Sequence, residues 1–213
     1  METTQKIVSD VYATGGQSEL NTYYQNWAHD YDNDVVDRMG YQVPREASED
    51  FARIVTDKTA KVLDVGAGTG LVGQHLKELG FRNVDALDAS QQMLDVAQSK
   101  GIYRDFICSE LGGSGIDVAP DTYDATICVG TYTFGHVKAK ALSEVLDITK
   151  ANGVMCFTQR LDFFENPETG FKAMMAQLEQ TGRMSLIEKT NPRKYLPLMD
   201  PDIEYSTWIY RKL

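Results

Sequence analysis

Cysteine is scarce in this chain: three in 213 residues, Cys108, Cys128 and Cys156, each alone inside an apolar, strand-like run and none in a C-x-x-C pair. Such spacing argues against a disulfide framework or a zinc site, and buried thiols in odd number point to a reducing compartment. Basic residues are outnumbered, 21 against 31 acidic ones, for a formal charge of −10. That surface repels a polyphosphate backbone, and the weak clusters Arg193-Lys194 and Arg211-Lys212 do not compensate, so nucleic acid is not the expected partner. Long apolar runs are missing too; none approaches the roughly 20 residues that span a bilayer, so no membrane partner is expected. The opening METTQKIVSDVYATGG has neither a basic start before an apolar stretch nor Arg-rich amphipathic character, which reads as a cytoplasmic protein without a targeting signal.

What the chain does have is glycine in one concentrated place. Lys61 to Leu71 reads KVLDVGAGTGL: a short apolar run containing Asp64, then Gly66, Gly68 and Gly70 at alternate positions, then an apolar helix start. A strand must turn sharply into a helix here, and alternate glycines let the backbone pass close beneath a bound molecule. The spacing D-x-G-x-G-x-G differs from the dinucleotide pattern G-x-G-x-x-G, and no Lys-Ser or Lys-Thr pair follows, so a phosphate loop is not indicated. The next strand, NVDALDAS, delivers Asp88 at its carboxyl end, where an acid accepts hydrogen bonds from two ribose hydroxyls.

The other periodicities complete an α/β pattern. Ser18 caps a helix bearing Leu20, Tyr24 and Trp27; a short helix ends at Gly40; Pro44 opens another with Ala47, Phe51 and Ile54 on one side. Val72, Leu76 and Leu79 follow the glycine turn at helical spacing, and Ser90 caps a helix with Met93, Leu94 and Ala97 inward. Strands are expected around Phe106 to Cys108, at YDATICVG, and at VMCFTQR after an Asn152-Gly153 turn. A helix is expected from Asn166-Pro167-Glu168, and MSLIEKT and YSTWIYRKL read as closing strands with NPRKYLPLMDPD as a loop between them. The expected architecture is a single α/β domain over 1–213: three layers, an open, mainly parallel seven-stranded sheet with helices on both faces and an antiparallel edge strand. Residues 1–45 form its N-terminal helical cap.

Ligands sit beyond the carboxyl ends of parallel strands, so Val129, Gly130, Thr131 and Tyr132 are expected to line the site. His136 has a suitable imidazole for removing a proton from an oxygen or nitrogen nucleophile. His136 and Tyr132 are the catalytic candidates.

The glycine segment resembles the first motif of the class I, Rossmann-like S-adenosylmethionine-dependent methyltransferases. That resemblance implies that Gly66, Ala67, Gly68 and Gly70 underlie the homocysteine part of the cofactor and that Asp64 orients its amino group. It implies further that Ala89 and Met93 flank the adenine, that Glu110 and Leu111 read its edge, and that Val129 and Gly130 border the cofactor. Tyr24, Trp27, Ala28, Tyr31 and Asp32 resemble the family's lid across the cofactor, which implies that Trp27 and Tyr31 bind it and that Tyr31 reaches the methionine end. At closer range the lid, the DVGAGTGLVG turn and the YDATICVG strand resemble the methyltransferase-like proteins named for the Williams-Beuren syndrome region. The Asn/Asp-Pro-Pro-aromatic motif of adenine methylation is replaced by Gly130-Thr131-Tyr132-Thr133. The implied reaction is in-line methyl transfer to a small-molecule acceptor, leaving S-adenosylhomocysteine. A protein Lys or Arg methyltransferase and a non-catalytic S-adenosylmethionine-binding regulator are the alternatives. No metal is called for, and the sequence specifies no oligomeric state.

Overall fold

The computed structural model describes residues 32–113, 115–133 and 137–213. The helix expected from Ser18, the lid residues Trp27 and Tyr31, and His136 lie outside them.

The sheet is built from β1 (Val62–Val65), β2 (Val84–Asp88), β3 (Phe106–Cys108), β4 (Tyr123–Cys128), β5 (Thr149–Arg160), β6 (Met184–Lys189), β7 (Arg193–Leu196) and β8 (Asp200–Lys212). Seven of them run in the order β3-β2-β1-β4-β5-β8-β6, and β7 pairs with β8 off that path. The first five are parallel, while β8 is antiparallel to both β5 and β6. The closing antiparallel pair is therefore present, with the last strand inserted one place in from the edge.

Period-two alternation sends successive side chains of each strand to opposite layers. Val62, Ala86, Ile127 and Cys156 face one layer with α1 (Val43–Ile54), α2 (Leu71–Glu78) and α3 (Gln91–Ser99). Leu63, Leu87, Met155 and Phe157 face the other, covered by α4 (Lys140–Ile148), α5 (Leu161–Glu165) and α6 (Phe171–Gln180). Ser90 caps α3, its hydroxyl accepting from the Met93 N–H at 3.3 Å. No helix among the described residues is long and apolar enough to cross a membrane.

Four expectations are corrected. NPRKYLPLMDPD is a hairpin, β7 pairing with the start of β8, because Pro192 and Pro197 bracket the strand without interrupting it. Asn152-Gly153 lies within β5, where the register jumps from Tyr123–Thr149 to Ala125–Val154 and Asn152 takes a φ of 63°. Asn166-Pro167-Glu168 opens only a 3-10 turn, Pro167–Thr169, and α6 starts afresh after it. Cys108 is exposed, since β3 is the outermost strand; Cys128 and Cys156 are buried.

The hairpin is fastened to α1 by charge. Asp50, 4% exposed, accepts from Arg193 Nη1 at 2.6 Å and Nη2 at 3.0 Å, and from Arg53 Nη2 at 3.1 Å. Burial pushes its carboxyl up, but these bonds outweigh burial and hold it below the usual carboxylate value. Asp50→Ala leaves two partly exposed arginines without their shared partner and is expected to lower stability by about 2 kcal/mol, read as a thermal-melt shift of roughly 4–8 °C.

Candidate active site

The three glycines of the turn all adopt positive φ, 72° at Gly66, 54° at Gly68 and 93° at Gly70. Neighbouring side chains explain two of them. A Cβ at Gly66 would stand 2.0 Å from Thr131 Oγ1, and one at Gly70 would stand 2.7 Å from Ile102 Cδ1. Among the described residues, a Cβ at Gly68 meets nothing within 4 Å. The space they leave beside Gly68 is what a floor for a ligand requires.

Asp88 is joined to that floor. Its Oδ2 accepts the Gly68 N–H at 2.8 Å and its Oδ1 the Ser90 N–H at 2.9 Å, so β2 and the glycine turn are one unit. Burial raises the Asp88 pKa against the effect of these bonds. Each carboxylate oxygen keeps a further lone pair for a hydroxyl donor. Asp88→Ala removes that acceptor pair and loosens Gly68, and is expected to weaken S-adenosylhomocysteine binding by about 2 kcal/mol, roughly 30-fold by calorimetry.

Asp64 is fully buried, and Tyr103 donates its hydroxyl to Oδ2 at 2.5 Å. Its other oxygen, Oδ1, is buried with no hydrogen-bond partner among the described residues. Burial pushes the carboxyl up to about 7, opposed by the Tyr103 bond and reinforced by the charge on Asp88. Tyr103 also accepts the Gly73 N–H at 3.2 Å, and a Cβ at Gly73 would stand 2.3 Å from the Tyr103 ring. The glycine inside α2 is thus the slot through which Tyr103 reaches Asp64. A glycine in a helix interior was the one sequence signal for this contact, because it weakens a helix that gains nothing else from it.

Asp32, the last residue of the lid-like motif, binds the turn directly. It accepts from Thr69 Oγ1 and from Lys100 Nζ, both at 2.5 Å.

At the exit of β4, Val129 is 9% exposed and the Gly130 N–H donates to Thr158 Oγ1 at 3.0 Å. A Cβ at Gly130 would lie 2.6 Å from the Tyr41 hydroxyl and 3.7 Å from that of Tyr195. Tyr41 and Tyr195 pack edge to face at 5.2 Å, and the Arg160 guanidinium stands 5.7 Å from the Tyr195 ring. No motif announced these three residues, which come from distant parts of the chain. Tyr132, expected at this mouth, is instead 1% exposed: its ring packs 5.4 Å from Phe157 and 5.2 Å from Phe171. It packs in the layer of Phe157 and Phe171, on the face of the sheet opposite Val62 and Cys156.

On the β2–β3 side, Ala89 is half-buried and Met93 is 3% exposed within the α3 core face. Glu110 is exposed just past β3, and Leu111 packs against the core layer of α4.

The strand order, the glycine turn joined to an acid on the next strand, and the mouth at the carboxyl ends of β1 and β4 define a class I methyltransferase fold. Residues 62–153 match the family model described as a methyltransferase domain. Human methyltransferase-like protein 27 is 34% identical over 163 residues, 75% of this chain and 66% of that protein, so the match spans just under two thirds of the human protein's length. Among solved structures, magnesium protoporphyrin IX methyltransferase from Synechocystis with bound S-adenosylhomocysteine aligns with a TM-score of 0.66 at 14% identity, over 92% of this chain and 99% of that one. The Burkholderia thailandensis 1,6-didemethyltoxoflavin-N1-methyltransferase aligns at 0.64 and 18% identity, over 91% of this chain and 87% of that one. The chain belongs to the Rossmann-like S-adenosylmethionine-dependent methyltransferases, and its likeness to the human protein bears out the resemblance to the Williams-Beuren region group. S-adenosylmethionine is the cofactor of this family. The residues present fit it: among the described residues, Asp64 Oδ1 is a buried acceptor without a hydrogen-bond partner and the space at Gly68 is open.

Proposed function

We propose that this chain transfers a methyl group from S-adenosylmethionine to a small-molecule acceptor by in-line displacement. The observation that carries the reading is the set of Asp64 with its unpaired oxygen, the open Gly68, and Asp88 bonded to that same turn. When bound, S-adenosylmethionine supplies a methyl group already activated by positive sulfur, so the protein's task is alignment and exclusion of water.

In this reading Asp64 Oδ1 accepts from the cofactor's ammonium group, and Gly66, Ala67, Gly68 and Gly70 admit its homocysteine part. Asp88 accepts from the ribose hydroxyls. Ala89 and Met93 flank the adenine, with Glu110 and Leu111 at its edge. Val129 and Gly130 border the methyl end, Trp27 and Tyr31 cover it, and His136 takes the acceptor's proton. The aromatic lid motif favours a small acceptor, while the acidic surface attracts basic side chains and keeps protein Lys or Arg methylation as the second reading.

The test is incubation of the purified chain with labelled methyl donor and, separately, a metabolite extract and a protein extract. Label in the metabolite fraction supports the proposal. Label in the protein fraction alone replaces it with protein methylation, and binding of S-adenosylhomocysteine without transfer to either fraction makes the chain a non-catalytic sensor.

A further inference from the structure

One sheet position carries polar side chains that the core has no use for. Gln159 and Ser206 are 1% and 0% exposed, and among the described residues neither the amide oxygen and nitrogen of Gln159 nor the hydroxyl of Ser206 has a hydrogen-bond partner. They are direct cross-strand neighbours on β5 and β8, which puts their Cβ atoms roughly 5 Å apart on one face. The next pair on that face is Phe157 and Trp208, and the Trp208 indole N–H is also buried and without a hydrogen-bond partner among the described residues. Buried polar groups are otherwise satisfied as a rule, and an apolar pair here would leave the core more stable.

Their placement gives the reason. Thr158, the residue before Gln159, receives the Gly130 N–H at 3.0 Å, so Gln159 stands level with the β4 exit. The sheet at this level is the carboxyl edge where ligands of open α/β sheets bind. Phe163 and Phe164 of α5 pack on the same layer, Phe164 lying 4.9 Å from Trp208.

Resting on the methyl-transfer reading, we infer that Gln159, Ser206 and Trp208 form a subsite for the acceptor, one that takes an uncharged planar group with an N–H beside a carbonyl, as a carboxamide or a ring imide offers. The three side chains supply an amide oxygen, amide N–H groups, a hydroxyl and an indole N–H, and none of them carries charge. A neutral donor–acceptor edge satisfies such a set, whereas a carboxylate placed against it gains no opposite charge. The aromatic walls suit a flat group.

The experiment uses the full chain saturated with S-adenosylhomocysteine, whose own binding is measured first by calorimetry. Nicotinamide and uracil are then compared with nicotinate and orotate in ligand-observed NMR titrations, on wild type, Gln159→Leu and Ser206→Ala. The expected result is binding of a neutral probe, at least tenfold tighter than its carboxylate counterpart and at least tenfold weakened in Gln159→Leu, whose melting temperature is equal to or above that of wild type. Absence of binding by both neutral probes, or equal binding of the carboxylates, overturns the inference while the methyl-transfer reading stands. A Gln159→Leu protein that melts lower with probe binding unchanged also overturns it, because the pair then serves the fold through an internal water; Ser206→Ala gives the same reading if the leucine variant does not fold. Should S-adenosylhomocysteine itself fail to bind, the methyl-transfer reading and this inference fall together.

Discussion

Gly68→Val abolishes S-adenosylhomocysteine binding and leaves the protein folded. The new side chain meets no atom of the described residues within 4 Å of its Cβ, so it enters the space that the proposed reading gives to the cofactor's homocysteine part. The backbone at φ 54° resists any β carbon, at a cost of about 1–2 kcal/mol, which lowers the melting temperature by several degrees without unfolding the domain. Calorimetry is expected to show no heat where wild type binds, a loss on the order of a thousandfold or more. Gly66→Ala is the control with the opposite balance. Its Cβ would collide with Thr131 Oγ1, so its principal effect is on stability and on the position of the β4 exit. A Gly68→Val protein that binds S-adenosylhomocysteine normally would show that the open space is not the cofactor floor.

Asp64→Asn is expected to weaken cofactor binding by about 2–3 kcal/mol, roughly 30- to 150-fold, because a charge-assisted bond to an ammonium group is replaced by a neutral one. The wild-type carboxyl titrates at about 7, pushed there mainly by burial. Binding a cation requires it ionised, so affinity is expected to fall toward tenfold per pH unit below 7 and to level off above it. The asparagine variant removes that slope, and titration calorimetry at pH 6 and pH 8 reads both effects.

The same shift affects stability with the opposite preference. A carboxyl whose pKa rises from 3.8 to about 7 on folding favours the protonated protein. Its contribution is fully present below pH 4 and is lost as pH rises through 7, a difference on the order of 4 kcal/mol in the cofactor-free protein. Asp64 is therefore held at the expense of the empty fold, consistent with a group kept for its ligand. A pH-independent affinity in wild type would remove this role.

Several of these features could be read from the chain before any coordinates. The alternate glycines and the acid after β2 are local patterns: a strand that must bend under open space can use only glycine, and Asp88 falls where its strand ends. The short, mostly apolar runs VLDV and YDATIC, buried on both faces, and the helical spacing through Val72 and Leu76 are likewise set by neighbours a few residues away. They were sufficient for the order of β and α units, while the cofactor class came from the resemblance of the glycine segment to the methyltransferases' first motif.

Other features were decided only when distant segments met. Tyr103 reaches Asp64 through the gap at Gly73, Tyr41 and Tyr195 converge on Gly130, and Gln159 faces Ser206 across β5 and β8. Tyr132 illustrates the same limit in reverse, since one residue's difference along the chain sends a ring into the core instead of the mouth. Local sequence determines which element a residue joins. Which residue of another element it faces is set by strand register and sheet order, and these depend on how the whole apolar surface is buried at once.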